Sequence, residues 1–379
     1  MCSWKIRHCL LATLCMISSL FCAAQVSVIS SEVSYLSFEV PGALGTYPMS
    51  INDSMAVTGY YSVSSTDTRG FLREADGTII TFDVLGGLWT EPESINAAGD
   101  ITGFYEVVAG VPQGFVRYSN GRIVTFDPIG FRLNPPEAQP VSVNDFGVIA
   151  GNYPFPLSAT DGFTRSAAGE FTSFGFGDGG DYESVVTGLN ASGTVVGFYS
   201  LGFPSFASFI WQPDGFSSQF FVPLSGGGAE DGGSEATIAE GINAHGDIVG
   251  WYTACTNPCA TTSTGGFVRS PQGSFTLFTP PGTIVALPRM GYPVNAESSL
   301  APHRLSINQA ETITGSYTDA EGAQHGFVRN PYGTITSFDP PRGERTTATS
   351  INDNGVIAGS YFYDWNTQIP QGFLRIPKP

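Results

Sequence analysis

Short apolar runs rich in β-branched and aromatic residues alternate with polar, glycine-containing turns along most of this chain. The last copy of the pattern is the clearest: residues 347–352 and 356–361 are two such runs, joined by the turn sequence Asn-Asp-Asn-Gly at 352–355. Gly355 can take the positive φ of a tight turn, so the two runs predict a β-hairpin. The sequence Gly-Phe-Leu-Arg at 372–375 predicts a third strand.

The same pattern returns seven times. Each copy is anchored by an asparagine, and the seven anchors are Asn52, Asn96, Asn144, Asn190, Asn243, Asn308 and Asn352. Successive anchors are 44 to 65 residues apart. A repeat of this length that holds four short strands is typical of a propeller blade. The pattern therefore predicts an all-β fold, a seven-bladed β-propeller of four-stranded antiparallel blades.

The last copy lacks a fourth strand, and the N-terminal part of the chain supplies a candidate for it. Copies one, two and six carry a fourth strand at 77–83, 121–127 and 333–339, whereas the chain ends soon after the third strand of copy seven. Residues 34–42 resemble the fourth strand of copy six. We therefore expect the N-terminal strand to complete the last blade, which closes the ring and removes two open sheet edges.

Two glycine patterns indicate the backbone geometry of the repeat. A glycine lies inside the second strand of every copy, where it predicts a bulge or the close approach of a neighbouring group; these are Gly59, Gly103, Gly151, Gly197, Gly250, Gly315 and Gly359. Met55 and Glu311 replace the turn glycine in copies one and six. We expect those two turns to be looser or strained.

A recurring arginine follows the third-strand Gly-Phe. Six of the 16 Lys and Arg residues occupy this position, namely Arg73, Arg117, Arg165, Arg269, Arg329 and Arg375, and Trp211 replaces them in copy four. The expected role is a bidentate contact on a neighbouring blade or stacking on the recurrent Phe. Phosphate binding is disfavoured, because six sites around a ring cannot converge on one ligand.

These repeats resemble the bacterial extracellular HAF repeat family. The resemblance covers about residues 34–379 and is carried by Ile-Asn-Asp-x-Gly-x-Ile-x-Gly-x-Tyr and by Gly-Phe-x-Arg-x-x-x-Gly-x-Ile-x-x-Phe-Asp. It implies secretion and β-repeats, without an established set of catalytic residues. The sequence departs from the family's His-Ala-Phe triplet: glycine replaces the alanine, and the histidine remains at His325.

The N-terminal residues predict export. Lys5 and Arg7 precede an apolar run at 9–20, and small residues end at Ala24, so residues 1–24 are typical of a secretory signal peptide. The alternative is a lipoprotein acylated at Cys22. The run is too short for a membrane span. We expect a secreted protein, extracellular or periplasmic, whose residues 25–379 form a single propeller domain and a monomer.

Two cysteines remain after cleavage, Cys255 and Cys259, in the sequence Cys-Thr-Asn-Pro-Cys. In an oxidising compartment this pair predicts a local disulfide. A redox-active or zinc-binding pair is the alternative, but no second Cys/His pair completes a zinc site. No cofactor is predicted; structural calcium is open, although no loop carries an Asp-x-Asp-x-Asp-Gly motif.

Composition and charge restrict the classes of partner. The chain has 47 Gly and 26 Pro, which suit a turn-rich protein, and 28 Phe and 15 Tyr, which suit packing between blades. Its net charge of −17 at pH 7 argues against a nucleic acid or an anionic membrane as the partner.

Strand alternation predicts where function would lie. The turns between strands one and two and between three and four are tight and lie on one side, the tight-turn face. The long connections lie on the other side, the loop-rich face, at 84–93, 130–141, 175–184, 224–240, 252–265, 280–305 and 362–371. Long loops on a rigid framework commonly carry binding residues. The candidates there are Trp89, Glu91, Asp178, Asp181, Glu230, Asp231, Arg289, Tyr292 and Trp365.

Aromatic side chains beside carboxylates suit stacking on sugar rings and hydrogen bonding to hydroxyls. The first hypothesis is therefore a secreted binding module for an extracellular ligand, such as a carbohydrate, another surface polymer or a protein, in which Trp89, Tyr292 and Trp365 are stacking platforms. A carbohydrate-active enzyme, either a glycoside hydrolase or a lyase, is the second, because that chemistry needs two suitably spaced carboxyl groups. The third is a structural cell-surface protein.

Overall fold

The computed structural model describes residues 33–107, 111–127, 138–153, 161–176, 184–201, 205–223, 236–256, 261–283, 304–363 and 369–378. The regular structure of these residues is β-strand throughout, and they contain no helix. The predicted signal segment, residues 1–24, lies outside the described residues.

Twenty-eight strands follow one another in these ranges, beginning with β1 (Val33–Phe38). The first three repeats contribute β2 (Gly45–Ile51), β3 (Val57–Ser64), β4 (Asp67–Arg73), β5 (Ile79–Phe82), β6 (Trp89–Ile95), β7 (Ile101–Glu106), β8 (Pro112–Arg117), β9 (Ile123–Phe126), β10 (Gln139–Val143), β11 (Ile149–Tyr153), β12 (Asp161–Arg165) and β13 (Phe171–Phe174). The next two contribute β14 (Ser184–Leu189), β15 (Val195–Ser200), β16 (Phe206–Trp211), β17 (Ser217–Phe220), β18 (Ala236–Ile242), β19 (Ile248–Thr256), β20 (Thr261–Arg269) and β21 (Phe275–Phe278). The last two contribute β22 (Ser306–Ile307), β23 (Ile313–Thr318), β24 (Gln324–Arg329), β25 (Ile335–Phe338), β26 (Glu344–Ile351), β27 (Ile357–Phe362) and β28 (Pro370–Pro377).

Each of the first six repeats forms a four-stranded antiparallel meander in chain order. Single parallel bridges, Thr68 to Trp89 and Phe206 to Ala236, join the sheets of repeats one and two and of repeats four and five. The chain therefore has the predicted all-β architecture, a propeller-like stack of small twisted sheets. The short strands and frequent glycine turns of the sequence account for it.

The N-terminal strand lies in the sheet of the last repeat. All six residues of β1 pair antiparallel with β28, from Val33 opposite Pro377 to Phe38 opposite Gly372. The strand order is β1-β28-β27-β26. The seventh sheet thus has four strands, although the seventh repeat supplies three of them.

Aromatic packing joins each repeat to the next. A fully buried phenylalanine lies on the third strand of every repeat: Phe71, Phe115, Phe163, Phe209, Phe267, Phe327 and Phe373. Each packs against the fourth-strand phenylalanine of the preceding repeat, with ring centroids 6.1 to 6.5 Å apart. For Phe71 of the first repeat that partner is Phe38, on β1. Offset, edge-on rings of this kind are the favoured arrangement of aromatic pairs.

The recurring arginine stacks on the same fourth-strand phenylalanine. The six guanidinium carbons lie 4.8 to 5.3 Å from the ring centroids, in the pairs Arg73–Phe38, Arg117–Phe82, Arg165–Phe126, Arg269–Phe220, Arg329–Phe278 and Arg375–Phe338. Trp211, which replaces arginine in copy four, stacks on Phe174 with a centroid distance of 4.6 Å and an interplanar angle of 15°. Of the two expected roles, the structure shows stacking. Arginine and tryptophan both present a planar group to the phenylalanine ring, so the position favours a planar side chain.

The second-strand glycines accommodate a bulge in the first strand. In six repeats the register between strands one and two shifts opposite the glycine. A β-carbon at Gly59, Gly103, Gly197, Gly250 or Gly359 would lie 2.0 to 2.1 Å from a first-strand carbonyl oxygen. Both predicted features, the bulge and the close approach, are present.

Met55 and Glu311, which replace turn glycines, have positive φ values of 65° and 57°, as the strained-turn prediction requires.

The seven anchor asparagines form a cyclic series of hydrogen bonds. The side-chain amide of each donates to the backbone carbonyl of the next anchor, at 3.0 to 3.3 Å. The series closes where Asn352 donates to Asn52. Each side-chain oxygen accepts the backbone N–H four residues later, which holds the first hairpin turn. Asparagine supplies both a donor and an acceptor, so one side chain joins a turn to its neighbour.

Some predicted loop boundaries were wrong. The connection predicted at 84–93 ends earlier, because Trp89 already belongs to β6. Most of the connection predicted at 252–265 is a ribbon in which β19 and β20 continue to pair as far as Thr256 and Thr261. Strand pairing satisfies the backbone there despite the polar sequence. Cys255 is described in its backbone alone and Cys259 lies outside the described residues, so the predicted disulfide is outside them too.

Candidate functional site

Charged side chains gather between the first strands of the repeats. These strands, β2, β6, β10, β14, β18, β22 and β26, contact one another in cyclic order. Each anchor asparagine follows the last residue of its first strand, on the tight-turn face. Tyr60, Glu91, Glu93, Glu240 and Arg304, which we call the central cluster, lie toward the other end. Glu93 precedes Asn96 by three residues, about 10 Å at the rise of a strand.

An ion pair between distant repeats is at the middle of the central cluster. Arg304 Nη2 donates to Glu93 Oε2 at 2.8 Å and thereby joins the sixth repeat to the second. The side chain of Glu93 is 8% exposed, and that of Arg304 is 34% exposed. The carboxylate of Glu93 raises the pKa of Arg304 above its usual value, because its charge outweighs the cost of burying the guanidinium.

Glu91 and Glu240 are the two carboxyl groups of the cluster without an arginine hydrogen bond. Burial raises the pKa of Glu91 to about 8, and the nearby charge of Glu93 adds to the shift. Burial likewise raises the pKa of Glu240 to about 8, although Arg304 opposes it. Both retain partial contact with solvent. At neutral pH these raised pKa values favour the protonated form of Glu91 and Glu240.

Tyr60, the aromatic member of the central cluster, packs against a second tyrosine. Tyr60 on β3 stacks on Tyr47 of β2, with ring centroids 4.8 Å apart and an interplanar angle of 18°. Burial raises the pKa of Tyr60, and the charge of Glu91 contributes further. The phenol is therefore a neutral hydrogen-bonding group at any physiological pH.

Trp89 lies beside the cluster at the beginning of β6. Its indole Nε1 donates to the carbonyl of Thr66 at 2.5 Å, and its backbone pairs with Thr68. The hydroxyl of Thr68 donates to Glu91 Oε1 at 3.4 Å. The indole is half-buried, so one side of the ring is held by the first repeat while part of it contacts solvent. The structure thus brings Trp89 and Glu91 together through Thr68.

The other seven predicted site residues, Asp178, Asp181, Glu230, Asp231, Arg289, Tyr292 and Trp365, lie outside the described residues. The structure adds Glu93, Glu240, Arg304 and Tyr60, which the sequence-based prediction missed. A signal for two of them was present. Glu93 and Glu240 each lie three residues before an anchor asparagine, at the bulge, where the other repeats have Met49, Val141, Thr187, Leu305 and Thr349. A bulge changes the direction in which a side chain points. An acidic residue at this position departs from the uncharged residues of the other five repeats.

The cluster combines hydrogen-bond donors and acceptors in a small space. The protonated forms of Glu91 and Glu240 and the phenol of Tyr60 can donate, whereas the carboxylate of Glu93, which pairs with Arg304, accepts. Such a mixture can bind hydroxyl groups, which both donate and accept. A neutral acid beside an ionised carboxylate is also the arrangement that acid–base catalysis uses.

A second charged group surrounds His325, at the outer part of repeat six. Its Nδ1 lies 2.7 Å from Asp339 Oδ2, and its Nε2 lies 3.1 Å from Asp319 Oδ2. The hydroxyl of Thr346 also hydrogen-bonds Asp339. Burial opposes protonation of the ring, but the hydrogen bonds to Asp339 and Asp319 outweigh it and raise the pKa of His325 above 6.5. Both ring nitrogens are hydrogen-bonded, so His325 links Asp319, in the turn between β23 and β24, to Asp339, which follows β25.

We expect this histidine to make stability depend on pH. Because its folded-state pKa is raised, its contribution is fully present below pH 6.5 and is lost as the pH rises through the folded-state value. His325→Gln should remove that part of the pH dependence of the unfolding free energy, measured in urea between about pH 5.5 and 8.5. His245→Gln, at an exposed histidine, is the control. An identical pH dependence in wild type and His325→Gln would contradict the assignment.

The described residues contain no group of three or more His, Cys, Asp or Glu side chains placed to hold a metal ion. Within the same ranges, the structure contains no helix long and apolar enough to cross a membrane.

No family model matches the chain, and no characterised protein matches it in sequence. Solved structures do match its fold. The β-propeller domain of the Trilobed protease from Pyrococcus furiosus, which has an open Velcro topology, has a TM-score of 0.54 at 9% identity over 87% of this chain and 94% of that domain. A prolyl endopeptidase has a TM-score of 0.56 at 9% identity, over 84% of this chain and 47% of that one. Puromycin hydrolase has a TM-score of 0.53 at 12% identity, over 86% of this chain and 52% of that one.

The chain therefore spans about half the length of two of these proteins. At identities of 9 to 12% the likeness concerns the fold alone, and that fold is a β-propeller.

Proposed function

We propose that the seven repeats are the seven blades of a closed propeller, with β1 as the outer strand of the last blade. Three independent contacts support this arrangement. β1 pairs with β28, Asn352 bonds to Asn52, and Phe38 packs on Phe71 as the other fourth-strand phenylalanines do on their neighbours. The first contact places β1 in the sheet of the last repeat, and the other two join that sheet to the first repeat.

We propose that this propeller is exported after cleavage behind Ala24, carries a Cys255–Cys259 bridge and acts as a binding module for an extracellular carbohydrate or another surface polymer. The observation that carries the binding function is the central cluster. It gathers ionisable residues of the second, fifth and sixth repeats at positions where the other repeats need no charge. Burying charged groups costs stability, so we attribute their presence at these positions to a function other than folding.

Carbohydrate is the ligand class that the chemistry favours. The protonated forms of Glu91 and Glu240 and the Arg304-paired carboxylate of Glu93 present both donors and acceptors to hydroxyl groups. Trp89, partly exposed next to Glu91, offers an aromatic surface for a sugar ring. Both features lie toward the loop-rich face, where the long connections leave the framework.

Retention of the protein on a panel of insoluble polysaccharides tests the binding function. Trp89→Ala should weaken binding of a retained polymer by about tenfold or more, because a stacked aromatic contributes about 1 to 3 kcal/mol. Tyr332→Ala is the matched control: this tyrosine is 93% exposed, in the tight turn between β24 and β25. Equal affinities of wild type and Trp89→Ala would argue against this site, and retention on no polymer would favour a structural surface protein.

The second candidate function, a carbohydrate-active enzyme, is favoured by one observation. Burial raises the pKa of Glu91 to about 8, and two residues further along the same strand lies Glu93, whose carboxylate pairs with Arg304. A glycosidase uses one protonated and one ionised carboxyl group. Assay of the same polymers for released oligosaccharides separates the two functions: binding without products supports the module, and products that disappear in Glu91→Gln support the enzyme.

A further inference from the structure

The large exposed apolar side chains of the described residues are distributed unevenly over the surface. Eight of the fourteen lie on the loop-rich face, whereas three lie on the tight-turn face and three on the outer strands. Those of the loop-rich face are Leu44, Val63, Leu85, Leu88, Val107, Leu201, Tyr363 and Ile369. Single exposed apolar residues are ordinary, but a grouped set commonly marks an interaction surface.

Four members of this set occupy the same position of the repeat. Each lies eleven residues after its anchor asparagine, at or just past the end of the second strand. We call these four residues the apolar arc: Val63 (39% exposed), Val107 (46%), Leu201 (39%) and Tyr363 (45%). The equivalent Phe155 of repeat three is apolar in sequence and lies outside the described residues, and repeats five and six have Ala254 and Asp319 there.

The apolar arc follows the order of the repeats around the ring. The first strands of repeats seven, one, two, three and four contact one another in that order. Leu44 and Leu88 enlarge two members of the arc, because each donates its backbone N–H to the residue that precedes Val63 or Val107. Trp89 follows Leu88, and its indole hydrogen-bonds the first repeat. The proposed stacking residue therefore lies where the arc passes from repeat one to repeat two.

An extended ligand matches this arrangement better than a small one. The same kind of contact recurs from repeat seven through repeats one and two to repeat four, so a chain can reach several members of the arc at once. The contacts are apolar, which favours an uncharged chain, and the net charge of −17 at pH 7 opposes a polyanion. The sugar rings of an uncharged polysaccharide present C–H faces that pack against aliphatic and aromatic side chains.

We propose, resting on the proposed carbohydrate-binding function, that the apolar arc is an extended binding surface for a long, uncharged polysaccharide. Trp89 stacks on one sugar, and the members of the arc contact further sugars of the same chain. Once one part of the chain is held, each further contact is intramolecular, so the affinity increases with chain length.

Biolayer interferometry of the full mature chain on immobilised polysaccharides tests the ligand class. Hydroxyethylcellulose, galactomannan and dextran are the uncharged probes, and carboxymethylcellulose and alginate are the anionic ones. We expect an uncharged polymer to bind, with an affinity that changes less than about twofold between about 0.05 and about 1 M NaCl, because salt does not screen apolar contacts. Preferential binding of an anionic polymer, or loss of binding in salt, would overturn the inference.

Chain length separates the apolar arc from a single stacking site. Fragments of the bound polymer with about four and about twenty sugars should differ in affinity about a hundredfold, as multivalent contacts do. Leu201→Ser should weaken the long fragment about threefold to tenfold and leave the short one unchanged, because repeat three separates Leu201 from Trp89. Trp89→Ala should weaken both. Leu277→Ser, at a leucine that is 41% exposed on β21, is the matched control and should change neither.

Each other outcome has a distinct meaning. Equal affinity for the two fragments, or a long-fragment affinity that Leu201→Ser leaves unchanged, overturns the inference and leaves the proposed function standing. Binding to phosphatidylcholine vesicles, or self-association, that Leu201→Ser abolishes assigns the arc to a lipid surface or a second copy and overturns it too. Retention on no polysaccharide overturns both proposals. Tyr363→Ser, in repeat seven, replaces Leu201→Ser in these measurements if the latter lowers the urea midpoint.

Discussion

Deletion of residues 25–42 is expected to lower the free energy of unfolding by about 5 kcal/mol or more, a loss comparable with the whole stability of many proteins. The deletion removes β1 and exposes β28 as an open edge. It also removes Phe38, which packs on Phe71 and lies under Arg73. Urea unfolding and light scattering measure the effect, since an open edge promotes aggregation as well.

The matched control is a shorter deletion of residues 25–32, which leaves β1 in place. Its urea midpoint is the reference against which the loss caused by removing β1 is measured. An unchanged midpoint in the longer deletion would show that β1 contributes little to the sheet of β26 to β28, and it would remove the main support for a closed ring.

Gly197→Ala is expected to destabilise the protein by about 3 kcal/mol. A β-carbon at Gly197 would lie 2.0 Å from the carbonyl oxygen of Val185 and 2.7 Å from Cζ of Phe209. Neither neighbour can move easily, because the oxygen belongs to a paired strand and the ring is fully buried. Denaturant unfolding at a fixed temperature measures the loss.

Gly188→Ala is the control in the same sheet. Its β-carbon would lie 3.1 Å from Cγ2 of Val196 and further from everything else, so small side-chain adjustments suffice. We expect a change of about 1 kcal/mol or less. Equal effects of the two substitutions would contradict the steric explanation for the conserved spacing of glycine within the repeats.

The predictions from sequence succeeded where the signal is local. The turn at Gly355, with a φ of 75°, and the strained turns at Met55 and Glu311 depend on a few adjacent residues. The stacking of Arg73 on Phe38 is one of the two roles expected for the recurring arginine. The predicted end of the 84–93 loop was wrong. Its local sequence resembles a loop, but Trp89 and Glu91 belong to β6 because β6 pairs with β7 there.

The candidate site was predicted in part. Trp89 and Glu91 do lie together, next to Thr68. Glu93, Glu240 and Arg304 are not distinctive among their neighbours in sequence, and their charge is unusual only relative to the equivalent positions of the other repeats. Loop length favours the long connections as the binding surface, whereas Glu91, Glu93 and Glu240 lie on framework strands.

By itself, the sequence determined the repeat, its strands and turns, and hence the all-β fold class, because β-propensity, strand alternation and glycine turns act over a few residues. The tertiary structure decided what the anchor asparagines do, since Asn52 and Asn352 meet across 300 residues. It likewise decided that Arg304 meets Glu93 across 211 residues. Contacts of this kind depend on how the sheets are arranged around one another, and no local pattern encodes the partner of a side chain in another sheet.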